Sequence, residues 1–167
     1  MNDSSNICLS CGLCCDGSLI GFVQLDSDEL PSVKAVMDIE EEGGKGFFLQ
    51  PCQKYCDGCT IYSQRPKACD HFNCKLLKSV QQKELDFNSA VETIQDVKAQ
   101  KQAIEKKIGQ LGIAFQSPSF YFKMVELKNI LQKLKDESTL NTRQQELIIE
   151  LQELDELLLA KFGVTLD

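Results

Sequence analysis

An α+β fold in two unequal parts is predicted by three features of this 167-residue chain. All nine cysteines lie between Cys8 and Cys74, with seven of the ten glycines and three of the four prolines. From Lys75 onward the cysteines stop, and Leu, Ile and Val recur at three- and four-residue steps, the spacing that puts apolar side chains on one helix face. Before that point, apolar runs at 19–25 and 47–49 read as short strands. The chain therefore divides into a cysteine-rich module of short strands and loops over residues 1–78 and a helical segment, of about three helices, over residues 79–167.

Composition narrows the function classes. A hydrophobic content of 43% allows a real core. The formal charge of -7 opposes a polyanion, and no Lys/Arg stripe with interleaved aromatics offers it a binding face, so nucleic acid is not expected as a partner. Residues 1–6 are polar and lack a basic, apolar leader, and no apolar run approaches bilayer length. The expected location is the cytoplasm, away from the membrane. Because that compartment keeps thiols reduced and the cysteine count is odd, metal ligation is favoured over a disulfide framework.

Elements follow in order. The opening Cys8-Leu-Ser-Cys11-Gly-Leu-Cys14-Cys15 reads as tight turns. After the first strand, the acidic stretch with Asp26, Asp28, Glu29, Asp38, Glu40, Glu41 and Glu42 is expected to face water. Gly43-Gly44-Lys45-Gly46 forms a turn, and the second strand delivers Pro51-Cys52 to the later cysteine group. In the helical segment, Ser89 with Glu92 reads as a capping box ahead of Val91, Ile94, Val97, Ile104 and Ile108, ended by Gly109 and Gly112. Ser117-Pro118 starts a second helix with the stripe Met124, Leu127, Leu131 and Leu134. Thr142 with Gln145 caps a third, carrying Leu147, Leu151, Leu154, Leu158 and Phe162. These stripes predict a helical core, with a protein partner as the other use of the segment. Glu150, Glu153, Asp155 and Glu156 are expected to form a solvated face.

The cysteine spacing carries the chemistry. Soft, anionic thiolates bind zinc and iron strongly, and four of them close a tetrahedral site. Two-residue gaps, Cys8 to Cys11 and Cys11 to Cys14, let a turn aim two sulfurs at one centre, and a second group supplies Cys52, Cys56, Cys59, Cys69 and Cys74. Cys14 and Cys15 are neighbours whose side chains diverge in most backbone conformations, so they predict two centres or one non-ligand. Eight cysteines suit two four-thiolate sites drawing on both groups. Structural zinc is worth about 10–16 kcal/mol in small peptides, so the metal-free module is expected to fold poorly.

These residues resemble a known family. CLSCGLCCDGSLIG and QPCQKYCDGCTIYSQRPKACDHFNCKLL are similar to the YkgJ family of bacterial cysteine-cluster proteins, zinc- or iron-chelating domains, over roughly residues 8–78. The family's pattern is met by Cys8, Cys11, Cys14, Cys15, Cys52, Cys59-Thr60-Ile61-Tyr62, Arg65-Pro66, Cys69 and Cys74. Cys56 stands outside it, where an apolar residue is expected. The resemblance implies metal chelation by those eight cysteines, with Arg65 donating hydrogen bonds toward sulfur and Tyr62 packed beside it. Related cysteine clusters occur in flagellin lysine N-methylases.

Zinc and iron-sulfur both accept four cysteines, and the adjacent cysteines with the methylase relation tilt the expectation toward iron-sulfur. The fourth position of a bacterial ferredoxin run is Ser18, which disfavours an ordinary ferredoxin. Cys52-x-x-x-Cys56-x-x-Cys59 has radical-enzyme spacing, but the strand-helix alternation that such enzymes need does not follow it. His71, the single histidine, can replace one thiolate or lie at the surface. With one histidine and no phosphate loop, hydrolase and kinase readings fail. Two uses of the metal stay open: a redox or methyl-transfer enzyme, and a metal-stabilised scaffold for a protein partner.

Overall fold

The structure, a computed structural model, describes residues 3–167, with side chains from Ile7 onward. The expected α+β class is observed. In chain order come α1 (Asp3–Cys11), β1 (Phe22–Leu25), α2 (Leu30–Lys34), β2 (Glu40–Glu42), β3 (Lys45–Leu49), a 3-10 turn at Tyr62–Gln64, α3 (Lys67–His71), α4 (Lys75–Gln81), α5 (Phe87–Leu111), α6 (Phe120–Asp136) and α7 (Thr142–Phe162).

The three strands form an antiparallel sheet in the order β1-β3-β2. Val23 pairs with Phe48 and Leu25 with Gly46. The inward residues Val23, Leu25 and Phe48 bury against Val33 and Met37 beyond them, a small apolar cluster of its own. Glu40–Glu42, expected as an acidic surface stretch, is exposed as anticipated but is also a strand, paired through Glu42 to Lys45. The hairpin closes on Gly43 and Gly44, at φ 60° and 79°, the left-handed pair that a two-residue turn of matching twist requires. Charge on an exposed edge strand also discourages pairing with other chains.

Three long helices make the second layer, and their starts differ slightly from expectation. Asp86, not Ser89, caps α5, accepting from the Ser89 backbone N–H at 3.0 Å. Ser119 precedes α6, two residues beyond Ser117. Asn141 caps α7 through a reciprocal box with Gln144, one residue before the predicted Thr142. The short polar side chain that reaches the free N–H groups defines the start, and in each window two or three residues of that type compete. Gly112 and Gly163 end α5 and α7 in the left-handed conformation. Gly109 lies inside α5.

The predicted stripes meet in one core, where Ile94, Ile104, Met124, Leu127, Leu151, Leu158 and Phe162 are buried. Ile7, Leu13 and Leu19 belong to the same cluster. The run at 19–25 is thus split: Leu19 enters the helical core and the strand begins at Phe22. The expected boundary between 78 and 79 falls within α4, and α1 packs on both α4 and α5. The face of α7 also departs from expectation. Glu150 pairs with Lys107 of α5, and Asp155 pairs with Lys128 of α6 while accepting from the Leu166 N–H at 2.8 Å. Glu153 and Glu156 face solvent.

Because Leu13 is fully buried in the helical core, Leu13→Ala is expected to cost about 2–5 kcal/mol. Urea unfolding followed by circular dichroism should show one transition shifted as a whole. An early, separate transition of the cysteine-rich part with the helices unmoved would contradict the shared core.

Candidate metal centre

Each cysteine is placed by a local device. Helix α1 carries Cys8 and Cys11 three residues apart, on neighbouring positions of one face. Gly12 then turns left-handed at φ 69°, and a side chain there would run into the Tyr55 ring, so the chain can leave the helix tightly only at glycine. Beyond it the Ser18 and Leu19 N–H groups both donate to the Leu13 carbonyl at 3.0 Å, curling Cys14 and Cys15 into a compact loop. Cys15 is stitched to the second group directly, its carbonyl accepting from the Cys52 N–H at 2.8 Å. Cys59 faces Tyr55 across an isolated β-bridge. Cys69 rides on α3, which packs on β1, and Cys74 is the N-cap of α4, which packs on α1.

A partly buried ion pair fixes the loop to the helices. Asp16 accepts from Lys101 of α5 at 3.0 Å, and its other oxygen holds the Ser18 N–H at 2.9 Å. The Lys101 ammonium also lies 5.0 Å from the centre of the Phe120 ring. The Tyr121 N–H donates to the Gly17 carbonyl at 2.7 Å, tying the same loop to α6.

The arrangement encloses a cavity of about 580 Å³. Cys8, Cys11, Cys14, Cys15, Cys52, Cys59, Cys69 and Cys74 all line it. All nine cysteines are free thiols. Among the described residues, no three His, Cys, Asp or Glu side chains converge in a geometry that clasps a single ion. Gln50 also lines the cavity, is 1% exposed, and its Oε1 has no hydrogen-bond partner. That oxygen is an acceptor, so it fits a site that brings a hydrogen-bond donor or a cation. Cysteine thiols are the donor type that soft metals such as zinc and iron take as thiolate.

Electrostatics sets the terms of any such ligation. Burial pushes the Cys11, Cys15 and Cys69 thiols from 9.0 up to about 12, and raises Cys8, Cys14, Cys52 and Cys74 as well. Neighbouring cysteines add to the shift: Cys74 raises Cys8, and Cys52 raises Cys69. Hydrogen bonds work the other way, with the Lys54 N–H 3.4 Å from the Cys52 sulfur and the Leu77 N–H 3.4 Å from that of Cys74. Without a metal these thiols hold their protons at neutral pH, and with one they must give them up.

The remaining expected residues fall as follows. Cys56 is exposed and does not line the cavity. Arg65 and Tyr62 do line it, with the guanidinium 3.9 Å over the Tyr62 ring. Its hydrogen bonds go to the Tyr62 carbonyl, at 2.6 Å, and to Asp70, rather than to sulfur. His71 lies at the rim with its side chain 76% exposed. Sequence reasoning missed Asp16, Lys101 and Gln50. The ion pair joins residues 85 positions apart, so only the fold displays it.

Two outcomes are expected of metal-free protein. The raised thiol pKa values mean that the folded chain holds protons more tightly than the unfolded one. Stability is therefore full below pH 9 and falls as pH rises toward about 12, which melting curves of reduced, chelator-treated protein should show as a declining Tm. Lys101→Met, which strands the Asp16 carboxylate, should cost about 1–3 kcal/mol in urea titration, between the exposed and fully buried limits for ion pairs.

Comparison with known proteins finds no family model, no curated sequence and no solved structure that matches this chain.

Proposed function

We propose that this protein binds metal through eight cysteines and carries it as iron-sulfur rather than as bare zinc. The observation that supports metal binding most directly is the convergence of two cysteine groups, far apart in sequence, on one cavity. The motif resemblance to the YkgJ family of zinc- or iron-chelating domains supports a metal, and the adjacent Cys14 and Cys15 with the relation to flagellin lysine N-methylases tilt the reading toward iron-sulfur. When bound, such a group supplies one-electron chemistry whose potential depends on burial and on hydrogen bonds to its sulfurs.

This chain's residues have distinct parts in that reading. The eight cysteines hold the group, and the Lys54 and Leu77 N–H groups donate to ligand sulfur. Leu13, Leu19 and Leu76 exclude water from the helical side of the cavity. Gln50 offers its buried amide, and Tyr62 with Arg65 closes one wall. Metal binding requires that the raised thiols lose protons, so uptake should release acid and weaken as pH falls.

Protein purified without oxygen from cells supplied with iron and zinc tests the reading. Visible colour, iron and acid-labile sulfide in stoichiometric amounts are expected. Colourless protein with stoichiometric zinc would replace the cluster by a zinc-stabilised scaffold, and metal-free protein would refute metal binding altogether.

A further inference from the structure

The eight cysteines are not equivalent in their surroundings. Cys8, Cys11, Cys14 and Cys74 pack against the helical core, in the company of Ile7, Leu13 and Leu76. Cys52 and Cys69 pack against the separate sheet cluster of Val23, Leu25, Val33, Met37 and Phe48. The helix contacts divide them in the same way, since α4 brings Cys74 onto α1 beside Cys8 and Cys11, whereas α3 brings Cys69 onto β1.

Cys15 joins the second set through its carbonyl's hydrogen bond from the Cys52 N–H. Cys59 joins it through Tyr55, which faces Cys59 across the isolated β-bridge and donates its N–H to the Cys52 carbonyl at 3.0 Å.

We infer that the cavity holds two four-thiolate metal centres: Cys8, Cys11, Cys14 and Cys74 on the helical side, and Cys15, Cys52, Cys59 and Cys69 on the sheet side. Each centre takes its ligands from both sequence groups, and the Cys14–Cys15 peptide joins them. Consecutive side chains that point apart, a defect in a single site, become the device that sets two sites side by side. Arg65 lines the cavity that the two sets share. Cys56 belongs to neither. This assignment rests on the metal-binding reading above and adds the number of centres and the membership of each.

Metal content per chain, measured on anaerobically purified full-length protein, tests it through cysteine-to-serine variants. Cys11→Ser and Cys69→Ser should each lower metal content about twofold relative to the unaltered chain, and the double variant should hold none. Cys56→Ser should leave the content unchanged. Since loss of the helical centre threatens the core, Cys59→Ser serves as a second sheet-side variant, with circular dichroism confirming that the helices persist. If the unaltered chain binds metal but Cys11→Ser and Cys69→Ser each abolish it, one shared centre replaces two and the inference fails while metal binding stands. Full metal content in Cys11→Ser, Cys69→Ser or Cys59→Ser overturns the assignment. Metal-free unaltered protein would defeat both.

Discussion

Burying a thiol costs little, because sulfur is weakly hydrated, but burying a thiolate costs the solvation of a full charge. Seven cysteines of this chain are raised by burial, and they sit where each other's charges would add to the penalty. The fold therefore holds a set of groups that is tolerable only while neutral or while a cation takes their charge. Most other features near the N-terminus make sense as means of keeping those sulfurs together. Gly12 turns the chain, Asp16 and Lys101 moor the loop to α5, and the hydrogen bond from Cys52 to Cys15 closes the two groups on each other.

The cavity lies between two layers of unequal strength. On one side stands the extended helical core, on the other a sheet whose cluster contains five buried side chains. Such a small cluster gives the segment between β1 and α4 little apolar anchorage of its own. On the metal-binding reading proposed above, ligation of Cys52, Cys59 and Cys69 together with Cys15 would fasten this segment to the loop that Lys101 already holds. Metal would in that sense stand in for the core that the sheet side lacks.

The long helices were legible because their apolar residues repeat over several turns, and Ile94, Met124 and Leu154 sit where the period puts them. The caps were less so, since Asp86 and Ser89 both offer an oxygen and only geometry selects one. Helix α1 was missed because Ile7 and Leu9 are its only large aliphatic residues, too few to make a stripe, and α2 and α3 at five residues are shorter than two turns. The acidic run Glu40–Glu42 has the composition of a loop, and pairing with β3 overrides it. At the cavity the cysteine positions were legible from spacing, while the division into helical and sheet sides was not. That division depends on α3 and α4 leaving in different directions between Cys69 and Cys74.

Charge gives the last constraint. The chain carries -7 overall, yet several cations act near the ligand sulfurs: Arg65 on Cys8 and Cys69, Lys98 on Cys11, Lys54 on Cys52 and Lys78 on Cys74. Each opposes the dominant effect of burial, and none is strong enough to bring its thiol back to the ordinary range. Cys14 and Cys15 have no cation among their leading influences and face other cysteines instead. The side chains thus compensate charge at some of the sulfurs and leave these two without it. On the metal-binding reading proposed above, a cation in the cavity would supply that compensation, and an acidic chain could then hold so many potential anions in one place.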